Sequence, residues 1–205
     1  MLKIKIKATG QIIEVKEYSR IIIDEENEEI RELGLNEVEF IEEKKKYKYL
    51  FCDLDGTLIE TISRKTFPEG IYDMKLRFDV LDTIKKLNPK EILIVTNQGG
   101  VEKGFVSESS IKAKCHFICC CIEDYCGITT KLNFCTSNNK NDTYRKPNTG
   151  MLVSFFWDNP SSKKEYLMIG DASGLEGQFS DSDKKTAENF GIDYMDVNEF
   201  VRRYS

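Results

Sequence analysis

The feature that most constrains the fold is the stretch of residues 49–58, in which an apolar run ends in two carboxylates. Asp53 and Asp55 follow the apolar residues 49–52, and Gly56 comes directly after them. Such a run is typical of a buried strand in a parallel sheet, whose carboxyl edge is where α/β proteins bind ligands. Because the two aspartates lie one strand period apart, both can reach that edge if Gly56 lets the backbone turn. The stretch therefore predicts an α/β fold with an acidic site at the end of this strand.

From Tyr47 onward, strand patterns alternate with helical patterns. Further strands are expected at residues 91–96, 132–136, 166–169 and 192–195, and helices at 76–87, 107–126, 151–157 and 183–190. Such alternation predicts a mainly parallel sheet with helices on both faces. The connection of residues 59–91 is too short for a large cap once its helix is counted.

Residues 1–46 show a different pattern, with short alternating or β-branched runs at residues 2–7, 11–16, 20–23 and 38–41. They predict a small antiparallel β module. The charged run of residues 42–46 is expected to be a linker, which places a domain boundary there and a second domain at residues 47–205. The sequence does not assign a role to the module.

Composition limits the class of protein. The 205 residues are 40% hydrophobic and 32% charged, which is ordinary for a globular chain. The longest apolar run is far short of the roughly 20 residues that span a bilayer, and clustered cysteines suggest a reducing compartment. We therefore expect an intracellular monomer with no membrane contact. The net charge of -5 argues against a broad basic surface, so that any polynucleotide contact must be small and salt-sensitive.

Polar residues end four of the predicted strands or follow them. They are Asp53 and Asp55, Thr96 and Asn97, Lys146, and Asp171. Singly, an acid after a strand is more often a turn or helix cap. Together, they supply a carboxylate nucleophile, a second acid, a hydroxyl and a lysine that can bind phosphate oxygens, and acids that can bind Mg²⁺. These are the groups that phosphoryl transfer through an aspartyl intermediate requires.

These residues resemble the motifs of the haloacid dehalogenase superfamily of phosphatases over residues 48–200. The four matching segments are Asp53-Leu54-Asp55-Gly56-Thr57, Thr96-Asn97, Lys146, and Gly170-Asp171 with Asp183. The resemblance implies a Rossmann-like parallel sheet with a minimal cap.

Within the superfamily, three segments resemble polynucleotide 3'-phosphatases. They are Thr96-Asn97-Gln98 with Lys103-Gly104, residues 144–151 around Arg145-Lys146-Pro147, and residues 170–174 with Phe179-Ser180; Phe67-Pro68 and Asp73 also match. The chain departs from that pattern at Glu102, Phe105, Leu175 and Gln178, and these changes remove positive charge from the expected rim of the site.

The resemblance implies a role for each residue. Asp53 is the nucleophile and Asp55 the acid/base, and Thr96, Asn97 and Lys146 bind phosphate. Mg²⁺ is held directly by Asp53, by the backbone carbonyl of Asp55 and by Asp171. Asp183 completes the metal site by orienting a metal-bound water or Lys146, with Asp181 as its rival. The candidate contacts to a nucleic acid with a 3'-phosphate end are the positive side chains of Arg64, Lys65, Lys103 and Arg145. DNA is the expected nucleic acid.

Two alternatives stay open. One is a small-molecule phosphatase of the same superfamily, acting on histidinol phosphate or a sugar phosphate; some of these carry a zinc loop, whereas here the only histidine, His116, is far from Cys135 in sequence. The other is a catalytically idle binding module, which the retention of all the acids argues against.

Overall fold

The computed structural model describes residues 47–65, 68, 70 and 72–205 in full, together with Gly10 and the strands of the N-terminal part. The chain divides into two compact units, Met1–Lys45 and Lys46–Ser205. The expected linker, residues 42–46, and Phe67 lie outside the described residues.

The first unit contains short antiparallel strands. β1 (Leu2–Ile6) pairs with both β2 (Ile12–Val15) and β5 (Val38–Ile41), in the order β2-β1-β5. A separate pair joins β3 (Ile22–Ile23) to β4 (Arg31–Glu32). The last strand therefore pairs with the first, whereas a simple meander would pair it with its predecessor in sequence.

The second unit is built on a parallel sheet of five strands in the order β10-β9-β6-β11-β12. The bounds of these strands, in chain order, are β6 Tyr49–Cys52, β9 Glu91–Asn97, β10 Thr129–Cys135, β11 Tyr166–Gly170 and β12 Asp193–Asp196. The predicted parallel sheet is confirmed. β10 begins three residues earlier than expected, because its pairing with β9 runs the whole length of both strands, from Thr129 to Cys135.

Among the described residues, four helices connect these strands, α1 Phe78–Leu87, α2 Glu108–Cys126, α3 Gly150–Asp158 and α4 Ser182–Phe190, and a fifth helix, α5 Val197–Tyr204, follows the last strand. A single 3-10 turn, Lys163–Glu165, precedes β11. Ser107 caps α2, since its side chain accepts a hydrogen bond from the amide of Ser110. The sequence patterns did not predict α5, nor the two-stranded antiparallel pair of β7 (Ile59–Glu60) and β8 (Lys75–Leu76) between β6 and α1.

Alternating residues of the central strands supply two cores, one on each face of the sheet. On one face, Leu50 and Cys52 of β6 pack with buried side chains of α1, α2 and α5. On the other, Tyr49 and Phe51 pack with α3 and α4. The period-2 alternation of a strand explains this division. Helices therefore cover both faces, and the carboxyl edge of the sheet is left for the polar residues.

Candidate active site

The polar strand ends meet at the carboxyl edge of the sheet. In register, Cys52 of β6 lies beside Ile94 of β9 and Ile169 of β11. Asp53 follows in the next position, and its amide donates to the carbonyl of Ile169 at 3.0 Å. The nucleophile candidate is thus fixed between the ends of the two neighbouring strands.

Lys146 lies at the centre of the site. It is 4% exposed, and its Nζ donates to Asp53 Oδ1 at 2.5 Å, to Asp183 Oδ1 at 2.7 Å and to the carbonyl of Val95 at 2.9 Å. All three protons of the ammonium group are therefore used. The lysine joins the end of β6, the end of β9 and the first turn of α4.

Asn97 fixes the backbone of this lysine. Its side-chain amide donates to the carbonyl of Lys146 at 3.0 Å, and its Oδ1 accepts from the amide of Lys146 at 3.0 Å. This reciprocal pair uses the whole Asn97 side chain to position Lys146. Only the backbone near Asn97 is left for the phosphate contact expected there.

Three carboxylates, Asp53, Asp171 and Asp183, place oxygen atoms within 4.8 Å of one another, so that they could hold a metal ion. Burial raises the pKa of Asp53 well above its usual range, although Lys146 opposes the shift. Burial and the carboxylate of Asp183 raise the pKa of Asp171 to about 6. Burial would lower the pKa of Lys146, but Asp183 and Asp53 outweigh it and raise the pKa.

The pKa shifts of Asp53, Asp171 and Lys146 reflect a surplus of negative charge in the site. Three carboxylates face one ammonium group, so the site carries a charge of -2 when all four are ionised. A divalent cation would cancel that charge, and carboxylate oxygens are the ligands that hard cations such as Mg²⁺ prefer. The donor set therefore fits the metal expected from the sequence.

Two glycines allow the acids to lie this close. A Cβ at Gly56, where φ is +92°, would come within 2.1 Å of Asp171 Oδ2, and one at Gly170 within 2.2 Å of Asp183 Oδ2. Asp171 thus rests directly on the backbone of Gly56, and Asp183 on the backbone of Gly170 at the end of β11. Asp181, the rival of Asp183, instead pairs with the exposed Lys185 at 2.6 Å and lies outside the acidic cluster.

Asp55 is held by two residues that sequence reasoning missed. Gln98 Nε2 donates to Asp55 Oδ2 at 2.6 Å and to the hydroxyl of Thr96 at 3.0 Å. Lys114 Nζ donates to Asp55 Oδ1 at 2.9 Å from the inner face of α2. A lysine that breaks an apolar helix face, as Lys114 does between Ile111 and Ile118, was the available signal.

Four positive side chains are the candidate nucleic-acid contacts, and the structure gives the exposure of each. Arg64, Lys65 and Lys103 are exposed. Arg145 is partly buried and donates to the carbonyl of Ser137 at 2.6 Å, which holds the loop before Lys146.

A cleft of about 460 Å³ lies beside Asp171. It is lined by Gly56, Arg77, Asp171, Gly177, Gln178, Phe179, Val197 and Asn198.

Comparison with known proteins places the same residues in a phosphatase family. The sequence model of the polynucleotide kinase 3 phosphatase family matches residues 48–201. A bifunctional polynucleotide phosphatase/kinase of Schizosaccharomyces pombe is 31% identical over 171 residues, which are 79% of this chain and 39% of the yeast protein. The chain thus matches well under half of that relative's length.

Sugar-phosphate phosphatases are also similar. A probable D-glycero-D-manno-heptose-1,7-bisphosphate 7-phosphatase of Thermoplasma volcanium is 25% identical over 136 residues, 65% of this chain and 91% of that protein. Among solved structures, a heptose bisphosphate phosphatase from B. bronchiseptica, complexed with magnesium and phosphate, superposes with a TM-score of 0.58 at 17% identity. It covers 72% of this chain and 78% of its own, which supports the fold.

Among the described residues, no helix has the length and apolar character needed to cross a membrane. The family recognised from the motifs is confirmed by the match over residues 48–201 and by the superposed phosphatase fold. The chain belongs to the polynucleotide kinase 3 phosphatase family.

Proposed function

We propose that the chain is a Mg²⁺-dependent phosphatase that hydrolyses 3'-phosphate ends of polynucleotides through an aspartyl-phosphate on Asp53. The observation that carries the proposal is the arrangement around Asp53. This buried carboxylate is fixed by Lys146, shares a possible metal site with Asp171 and Asp183, and lies two residues from Asp55. Nucleophile, phosphate-binding cation and acid/base are thus present together.

In the first step, a carboxylate oxygen of Asp53 forms a bond to phosphorus while the bond from phosphorus to the 3'-oxygen breaks. Asp55 gives its proton to the departing oxygen, which leaves as an alcohol. Asp53, Asp171 and Asp183 would hold Mg²⁺, which would supply positive charge against the anionic phosphate. Lys146 and the Thr96 hydroxyl stabilise the equatorial oxygens, where charge must be balanced.

In the second step, the carboxylate of Asp55 takes a proton from water, and the water oxygen attacks phosphorus. The bond between phosphorus and Asp53 breaks, so that inorganic phosphate leaves and Asp53 is restored as a carboxylate. Asp55 ends the cycle protonated, ready for the next substrate. The same residue acts first as an acid and then as a base, as expected for a two-step displacement.

A polynucleotide substrate is supported by the family match and by the similarity to the yeast polynucleotide phosphatase/kinase. The edge of the site is also open in a way that suits a polymer end, because the segment between β6 and α1 adds only the short β7–β8 pair among its described residues. We assign phosphate-backbone contacts to Arg64, Lys65, Lys103 and Arg145, and expect binding that weakens with salt.

A release assay with three kinds of substrate tests the proposal. It compares a 3'-phosphorylated oligonucleotide, the same oligonucleotide phosphorylated at its 5' end, and sugar phosphates including a heptose bisphosphate. We expect the highest kcat/KM for the 3'-phosphorylated oligonucleotide, and loss of activity when a chelator removes Mg²⁺. A higher kcat/KM for a sugar phosphate would assign the chain to the small-molecule class, and no release from any substrate would favour an idle binding module.

Asp53→Asn tests the mechanism separately. The substitution keeps the shape of the side chain but removes the nucleophile, so we expect kcat to fall by about 10⁴-fold or more. Folding is checked by circular dichroism. Near-normal turnover in a folded Asp53→Asn protein would show that another group attacks phosphorus.

A further inference from the structure

We infer that Lys114 is a positioning residue that holds Asp55 in the orientation needed for proton transfer. This inference rests on the proposed function, because Asp55 is the acid/base of that mechanism. Lys114 belongs to α2, whose other inward side chains, such as Ile111 and Ile118, pack in the core. Lys114 is the one charged side chain among the buried residues of this helix.

The position of Lys114 is unusual for a lysine. Its side chain is 3% exposed, whereas that of Asp55 is 37% exposed, and the two are joined at 2.9 Å. A lysine is rarely buried unless it is paired, since removing its charge from water is costly. An exposed ion pair on the surface would contribute little, but here the lysine lies inside the protein and only the acid faces the site.

Together with Gln98, Lys114 fixes both oxygens of the Asp55 carboxylate. Lys114 binds Oδ1 and Gln98 binds Oδ2, from the middle of α2 and from the end of β9 respectively. A carboxylate has about four lone-pair positions, so two remain for the proton it exchanges with substrate or water. The two donors therefore prevent rotation of the group without occupying the whole of it.

Orientation of Asp55 matters differently for different leaving groups. An alcohol needs a proton as it departs, whereas p-nitrophenolate departs without one. Hydrolysis of the aspartyl-phosphate needs Asp55 as a base whichever substrate formed it. A misplaced Asp55 should therefore slow both steps with an alcohol leaving group. With p-nitrophenyl phosphate it should slow only the second step, the hydrolysis of the aspartyl-phosphate.

Lys114→Met tests the inference, because methionine fills a similar volume without donating to Asp55. With p-nitrophenyl phosphate, we expect a burst of about one p-nitrophenol per enzyme, followed by a steady state about 10²-fold slower than wild type. KM should fall with kcat, so that kcat/KM stays near the wild-type value. With a 3'-phosphorylated oligonucleotide, kcat/KM should itself fall by about 10²-fold.

Lys112→Met is the matched control. Lys112 lies on the same helix but is exposed and pairs with Glu108, so its loss should leave both substrates unaffected. Gln98→Leu removes the other donor to Asp55 and should give the same burst, which keeps the inference testable if Lys114→Met does not fold.

Three outcomes would overturn the inference. Wild-type kinetics in folded Lys114→Met would show that Asp55 needs no such support, and slow turnover without a burst would place the defect in the first step, away from base catalysis. A wild-type protein that releases no p-nitrophenol would overturn the proposed function as well, whereas an active wild type with an unaltered variant overturns this inference alone.

Discussion

At the scale of single residues, the site is governed by the excess of acids over bases around Lys146. One ammonium group faces three carboxylates, and the pKa of Asp171 is raised to about 6 by burial and by Asp183. A proton or a metal ion can relieve this repulsion. The two should therefore compete for the same carboxylates.

This competition predicts a pH dependence of metal binding. The pKa of Asp171 is higher in the folded protein than in the unfolded chain, so without metal the free energy of unfolding should fall as pH rises from about 4 through 6. Mg²⁺ must displace the proton, and the increase in Tm that it causes should be small at pH 5 and larger at pH 7. Thermal unfolding with and without Mg²⁺ at both pH values measures this difference.

Asp171→Asn is the control for that experiment. The variant cannot ionise at this position, and we expect it to lose most of the stabilisation by Mg²⁺ at pH 7. An equal increase in Tm at pH 5 and pH 7 in the wild-type protein would contradict the prediction.

The sequence was sufficient to place Asp53, Lys146 and Asp171 at one edge, because strand ends of a parallel sheet converge. Asp183, in the first turn of α4, was identified from the family resemblance. Lys114 was indicated only by its place on the apolar face of α2, between Ile111 and Ile118. Which group such a lysine reaches depends on how the helix lies over the sheet, and a lysine is usually at the surface. The hydrogen bonds between the Asn97 side chain and the Lys146 backbone likewise join the end of β9 to a loop that lies 49 residues away in sequence.

At the scale of secondary-structure elements, α5 is a helix whose stability depends on packing against the rest of the protein. Its eight residues form too short a helix to be stable alone. The side chain of Asp196 caps it by accepting from the amide of Asn198 at 2.9 Å. Phe200, which is fully buried, joins the core beside α1. The two-residue strands β7 and β8 were missed for a similar reason, since two residues show no periodicity.

Phe200→Ala should therefore destabilise the second unit. Truncating a fully buried phenylalanine removes apolar contact and leaves a cavity, at a cost of about 3–5 kcal/mol in the free energy of unfolding. Denaturant unfolding measures the loss. Arg202→Ala, at an exposed position of the same helix, should change the free energy of unfolding by less than about 0.5 kcal/mol; equal effects of the two substitutions would mean that α5 does not anchor the core.

At the scale of the whole molecule, all the candidate catalytic residues belong to Lys46–Ser205. That unit contains both faces of its sheet and the helices that cover them. It is also long enough to bury a core of its own. We propose that Met1–Lys45 serves a purpose other than the chemical step.

A chain of residues 46–205 should then fold and turn over p-nitrophenyl phosphate with kcat and KM close to those of the full-length protein. Circular dichroism and the same release assay, run on both chains, provide the measurement. Loss of turnover in a folded 46–205 chain would show that the first unit contributes to the site. A change limited to the KM for an oligonucleotide would assign it to substrate binding.

The hydrogen bonds of Lys146 have one more consequence, which concerns how the enzyme is made. The lysine bonds Asp53 across 93 residues of sequence and Asp183 across 37. No segment of the chain can assemble these groups by itself, and closing such long loops is slow compared with forming a helix. During synthesis on the ribosome, Asp53 emerges early but gains its full set of partners only when α4 has left the exit tunnel. A nascent or prematurely terminated chain would therefore hold Asp53 without the groups that surround it in the folded site.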